Sequence, residues 1–273
     1  MDITKTKLLG RDVYTVIDGD IVYTLGDAWN KKDDECPDGT TRYVLRNVRY
    51  QGKYLMAFGW PLYGLEVSED PGSPRMWQGY QSGGESARFF EQMTPQPEVG
   101  LTLQAGSLAM SWSNVCRLPN GVPNLLMEHD LTIAEGGVID YIVTRQTLVT
   151  HCLWREYATN APFCGVNHGE QNAWKFDTAI LINGATQFIR EGLGQKNGAP
   201  SDYIDEGSWP MYRMRDVTEN IQVCVEMPTA VPVQTGDHND NRVIMYHAPV
   251  AGMVQTNPGD VVQHEQQVRI IAL

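Results

Sequence analysis

The sequence predicts an all-β protein: a large β-sandwich, supersandwich-like, with long irregular loops and little helix, folded as a single domain over residues 1–273. Three features carry that expectation. Short runs of alternating apolar and polar residues recur along the chain. Asp-Gly, Asn-Gly and Gly-Gly turn signals separate many of them. No stretch beyond about ten residues holds a helical period. Neither an internal repeat nor a low-complexity tract divides the chain.

In order, residues 12–17 and 21–25 flank Asp18-Gly19-Asp20 as a hairpin, and residues 42–50 and 54–58 flank Gln51-Gly52-Lys53 as a second. Between them, residues 31–41 form a charged loop bearing Pro and Gly. Residues 63–67 run to a turn-rich corner at 69–74. Residues 78–100 have no clear period and read as a long irregular connection, rich in Gly, Pro, Gln and aromatics. Strands resume at 101–104 and 108–112, and residues 124–133 and 138–143 form a third hairpin through Glu135-Gly136-Gly137. Residues 148–157 continue as a strand. Residues 187–209 read as loop with a short helical turn, and strands return at 221–227, 242–247 and 261–273.

With 42% hydrophobic residues the chain can bury a sizeable core, and its net charge of -12 speaks against a nucleic-acid partner. No apolar run is long enough to cross a bilayer as a helix, and residues 1–5 lack a signal-peptide core, so a soluble, cytoplasmic protein is expected. Five widely spaced cysteines without a Cys-x-x-Cys suggest free, buried thiols in a reducing compartment. A homo-oligomer is left open.

The chemistry is expected in residues 166–184. His168 and Glu170 sit two apart, so on an extended strand both leave one face and can bind a metal or move a proton. Trp174 and Phe176 follow, then Ile180-Leu181-Ile182 and the turn Asn183-Gly184. Just upstream, a regular strand would put His151 and Arg155 on one face and Glu156 on the other. Arg155 is a candidate for an anionic substrate group or a structural ion pair. Trp77 and Tyr80, with Trp60, Tyr63, Phe89 and Phe90, offer walls for an apolar pocket, to which Trp174 would add. His129 and Asp130 alternate faces. His264-Glu265 is the nearest rival for a ligand or base role.

Three segments resemble the catalytic domain of copper amine oxidases, itself a β-supersandwich. His168-Gly169-Glu170 before Trp174-Lys175-Phe176-Asp177 is similar to that family's His-x-His pair and following strand, with Glu170 in the second ligand position. Asn124-Leu125-Leu126-Met127, leading to Gly137-Val138-Ile139, is similar to the segment carrying the quinone-forming tyrosine, here Leu125. Val243-Ile244-Met245-Tyr246-His247 is similar to the strand before the third ligand, which makes His247 the candidate. The resemblance therefore implies no topaquinone. A ligand set of His168, Glu170 and His247 suits iron, manganese or zinc better than copper. Galactose-mutarotase and polysaccharide-lyase sandwiches have a similar architecture.

These features lead to an enzyme acting on a small organic molecule near His168, Glu170 and His247. One reading gives it a divalent transition metal. Another makes it a metal-free isomerase, cyclase or lyase with a His/Glu acid–base pair and an aromatic pocket. A third is a non-catalytic small-molecule or carbohydrate-binding sandwich. No nucleotide cofactor is expected, since no Gly-rich phosphate loop is present.

Overall fold

The structure, a computed structural model, describes residues 1–8, 11–27, 43–56, 62–80, 100–104, 106–118, 120–166, 172–195, 202–237 and 242–273. The described residues form strands and turns without a helix. In chain order the strands are β1 (Asp2–Leu8), β2 (Arg11–Asp18), β3 (Ile21–Asp27), β4 (Tyr43–Tyr50), β5 (Lys53–Met56) and β6 (Leu62–Ser68). Next come β7 (Met76–Tyr80), β8 (Gly100–Gln104), β9 (Ser107–Arg117), β10 (Pro123–Ala134), β11 (Val138–Thr147) and β12 (His151–Cys164). The last six are β13 (Phe176–Asn183), β14 (Thr186–Arg190), β15 (Asp202–Asp216), β16 (Ile221–Asp237), β17 (Arg242–Thr256) and β18 (Val261–Ala272). The all-β sandwich expected from the alternation is what forms. No helix among the described residues is long and apolar enough to cross a membrane.

Among the described residues every strand ladder is antiparallel, two isolated bridges (Tyr54–Ala173 and Gly165–Phe176) are parallel, and the strands join in one network that forks at β16. One edge of β16 is taken by β15 along most of its length. The other edge is shared: Ile221–Glu226 pairs with β18, and Val233–Asp237 pairs with β17. Pro228 and Pro232 lie between the two ladders. Proline has no N–H to donate, so each weakens the ladder where it stands, and β17 and β18 separate in this stretch. One branch continues β18–β11–β10–β9–β8. The other continues β17–β12, whose far edge carries β6 and, at its end, β5.

The branches close over a shared apolar core. β11 buries Ile139, Tyr141 and Val143 at every second position, β10 buries Met127, Leu131 and Ile133, and the opposing branch contributes Leu65, Val67 and Phe163. Fully burying a side chain of this size stabilises by roughly 1.5–3 kcal/mol. The four described cysteines, Cys116, Cys152, Cys164 and Cys224, are buried, as the spacing suggested.

The structure departs from the sequence reading over residues 187–209. β14 and the first half of β15 occupy much of that span as strands. β14 is exposed along almost its whole length, so no burial alternation marks it; its backbone pairing to β13 makes it a strand. The start of β15 is polar and is held by the far end of β16 across two irregularities. Of the connection expected to be irregular over residues 78–100, residues 78–80 and 100 belong to β7 and β8, while 81–99, like 31–41, fall outside the described residues.

Two glycine turns separate conformational need from packing. Gly52 (φ 76°) follows Gln51 (φ 49°) in the β4–β5 turn, and nothing lies within 4 Å of where its Cβ would be. Gly137 (φ 77°) ends the β10–β11 turn, and a Cβ there would meet Ile21 Cδ1 at 2.7 Å and the Ile270 carbonyl at 3.2 Å. Gly52→Ala should therefore lose only the positive-φ term, about 1–2 kcal/mol. Gly137→Ala should lose about 1–3 kcal/mol more from overpacking between β3 and β18. Urea denaturation of both variants checks this; equal losses would show that the packing at Gly137 yields.

Candidate functional site

The inner faces of β11 and β18 change character near the fork. Tyr141, Val143, Arg145 and Thr147 share the inward face of β11, and His264, Gln266, Val268 and Ile270 share that of β18. The register sets Val143 opposite His264 and Tyr141 opposite Gln266. Apolar core thus gives way to a polar interior.

Glu156 reaches this interior from β12, on the other branch. Its side chain is 1% exposed, and that of Arg145 4%. Arg145 Nε donates to Glu156 Oε1 and Nη2 to Oε2, each at 3.2 Å, a bidentate pair. His264 Nε2 lies 3.0 Å from the same Oε1 and is the donor, since a carboxylate only accepts. Its side chain is 14% exposed, so His264 is the end of this chain nearest solvent.

A bulge gives Glu156 this position. β12 is irregular between Leu153 and Arg155 in its pairing with both neighbours. The extra residue reverses the in–out parity expected for a regular strand. His151 and Glu156 are both buried, and Arg155 faces outward, where it pairs with Glu66 at 3.4 Å. The expectation that His151 and Arg155 share a face is therefore corrected.

Other histidines line the same interior. His247, on β17 opposite Val233 and Ala158, is 3% exposed, with its ring edge-on to Tyr212 at 5.6 Å. Burial, aided by the charge of nearby His264, pushes its pKa down to about 3. His129 on β10 is also buried, with Nδ1 2.7 Å from the Tyr141 hydroxyl, and burial lowers its pKa to about 3. Burial is also the main cause holding His151 low, against a 2.9 Å hydrogen bond to the Val149 carbonyl that favours the charged form. These rings are neutral at neutral pH.

Among the residues singled out from sequence, His168 and Glu170 fall outside the described residues, as do Trp60, Phe89, Phe90 and His238. Trp77 and Tyr80 belong to β7, opposite Glu66 and Tyr63. Trp174 is 8% exposed; its Nε1 donates to the Tyr50 carbonyl at 3.0 Å and the Lys53 ammonium lies 4.5 Å from its ring. Of the expected ligands, His247 stands in the polar interior. Among the described residues no three His, Cys, Asp or Glu side chains form a group able to hold a metal. Arg145 and Gln266 were missed by sequence reading. Their signal was a polar residue in phase with the apolar face: Arg145 after Ile139, Tyr141 and Val143, and Gln266 before Val268 and Ile270.

Two predictions follow from these burials. Arg145→Met strands the Glu156 carboxylate and should destabilise by about 3–5 kcal/mol, whereas Arg145→Met with Glu156→Leu should recover much of that, since apolar replacement of a whole buried pair is often tolerated. Chemical denaturation compares them; an equal loss in the double variant would show that the pair itself carries the stability. His129 and His247 both hold pKa values below the ordinary 6.5, so the unfolded chain binds more protons than the folded one between about pH 3 and 6.5. Their contribution is full above that window and is lost as pH falls through it, with a slope of at most about 1.4 kcal/mol per pH unit for each ring. In His129→Gln, stability should fall less steeply over that window than in the parent; parallel profiles would contradict the assignment.

No family model matches the sequence, and no curated protein is similar to it by sequence. Solved structures are similar in fold. A candidate aldose 1-epimerase from Escherichia coli K12 superposes with a TM-score of 0.53 at 10% identity, covering 97% of this chain and 100% of the other. Galactose 1-epimerase from Lactobacillus acidophilus NCFM gives 0.52 at 8% identity, covering 99% and 98%. The Slr1438 protein of Synechocystis sp. PCC 6803 gives 0.52 at 12%, covering 100% and 99%. These overturn the resemblance to copper amine oxidases. The segments behind it are strands ending in glycine turns, a pattern any such hairpin produces: Leu125 is a fully buried core residue of β10, and Gly137 and Gly184 close the β10–β11 and β13–β14 turns. The chain has the galactose mutarotase-like β-sandwich fold.

Proposed function

We propose that this protein is a carbohydrate isomerase that interconverts the anomers of an aldose by proton transfer. The observation that carries the reading is the buried Arg145–Glu156–His264 chain, ending at a partly exposed imidazole in a fold shared with aldose epimerases. The reaction asks for little else. A base takes the proton from the anomeric hydroxyl, and its conjugate acid then delivers that proton to the ring oxygen. The C1–ring oxygen bond breaks to give the open aldehyde, rotation turns the carbonyl, and reclosure reverses both transfers.

In this reading His264 carries the proton. Glu156 fixes its tautomer by accepting from Nε2, so that Nδ1 exchanges protons with the sugar, and stabilises the imidazolium when it forms. Arg145 keeps Glu156 ionised and aligned through the bidentate pair. His247, held neutral by burial, accepts a hydrogen bond from a sugar hydroxyl. The neighbours' aldose substrates support the substrate class, and the neutral polar interior suits an uncharged ligand.

The test is the rate at which freshly dissolved α-D-galactose and α-D-glucose reach anomeric equilibrium, followed by polarimetry. Wild type should accelerate at least one of them, and His264→Gln and Glu156→Gln should each lose about a hundredfold or more of that acceleration. No acceleration of either sugar by folded wild-type protein, or full activity in His264→Gln, would overturn the reading.

A further inference from the structure

We propose that Gln266 reads the hydroxyl pattern of the ligand, its primary amide holding two adjacent hydroxyls of one sugar ring. The ligand class rests on the isomerase reading above; the geometry does not. Gln266 is 4% exposed on the inward face of β18, and among the described residues neither its amide nitrogen nor its amide oxygen has a hydrogen-bond partner. Leaving such groups buried and unsatisfied destabilises the fold, since each has given up its hydrogen bonds to water. An apolar side chain would continue the inward row of Val268 and Ile270 without that cost. Tyr141, directly across on β11, has its hydroxyl at His129 Nδ1. The amide therefore faces the interior with one donor and one acceptor to offer.

Its position fits the chemistry next to it. Gln266 and His264 are two residues apart on one face, so they are separated by roughly 6.5–7 Å along the strand, about the span of a pyranose ring. A primary amide matches two neighbouring hydroxyls, donating to one and accepting from the other. It carries no charge, so it selects a neutral ligand over an acid or an amine. The buried Tyr212 hydroxyl, also without a partner among the described residues and on the ring beside His247, adds a further neutral hydrogen-bonding group. A site built to bond hydroxyls rejects analogues lacking them, because its own buried groups are then left unpaired.

The test measures binding of D-galactose and each of its monodeoxy analogues by titration calorimetry, beside anomerisation rates, for wild type, Gln266→Leu and Gln266→Glu, with thermal melts for each. Wild type should bind the parent sugar at least about tenfold more tightly than the analogues missing either of two adjacent hydroxyls. Gln266→Leu should melt no lower than wild type, lose at least that factor for the parent sugar, and lose less for those two analogues, each of which has only one of the two bonds left to lose. Gln266→Glu, which keeps the acceptors and lacks the amide donor, should restore discrimination at one of the two hydroxyls only. Unchanged galactose binding in folded Gln266→Leu, or an equal loss against every analogue, would overturn the proposal even where wild type is an active isomerase. Binding that follows the expected pattern without anomerisation would uphold Gln266 and sink the isomerase reading. Absence of both binding and anomerisation in wild type would sink both.

Discussion

The Glu156 carboxylate organises the interior of this molecule. It enters from β12 on one branch of the forked sheet and meets Arg145 and His264, which belong to adjacent strands of the other. A carboxylate so deeply buried is tolerable only if its lone pairs are met, and here guanidinium and imidazole meet them from across the fork. Such an ion pair is not the most stable way to fill a core, since apolar side chains of similar volume often serve as well or better. It stands where the inner faces of β11 and β18 turn from apolar to polar.

Two local irregularities make the arrangement reachable. The bulge in β12 turns Glu156 inward and Arg155 outward, and Pro228 and Pro232 weaken the β16 ladder where β17 and β18 part. Both are failures of regular strand pairing, and both are placed by the chain beside the polar interior. His247 stands just past the fork on β17, while Gln266 and His264 stand just past it on β18. The regular remainder of the sheet, with buried Ile139, Val223, Val225 and Val268, supplies the rigid floor from which these side chains rise.

Electrostatics then sort the histidines. His129 and His247 are neutral because removing their rings from water disfavours the charged form. His264 differs from them in place: it is partly exposed, and its Nε2 lies 3.0 Å from the Glu156 carboxylate. One interior thus holds two rings kept neutral by burial and a third set against a carboxylate.

The amino-acid sequence by itself determined the strand-rich fold, the hairpins at Asp18-Gly19, Gln51-Gly52 and Gly136-Gly137, the burial of the described cysteines and the opposite faces of His129 and Asp130, because alternation and turn chemistry are local properties. It also marked His264 and His247 as residues to weigh. Only the tertiary structure decided which polar residues meet. Glu156 and Arg145 are separated by a turn and a bulge, and residue parity, read from sequence, put Glu156 on the wrong face. β14 and the start of β15 were invisible for a related reason: their strand character comes from backbone pairing to β13 and β16, not from a pattern of buried side chains. Pairing partners and bulges depend on residues distant in the chain, and the assembly of Arg145, Glu156, His264 and Gln266 depends on both.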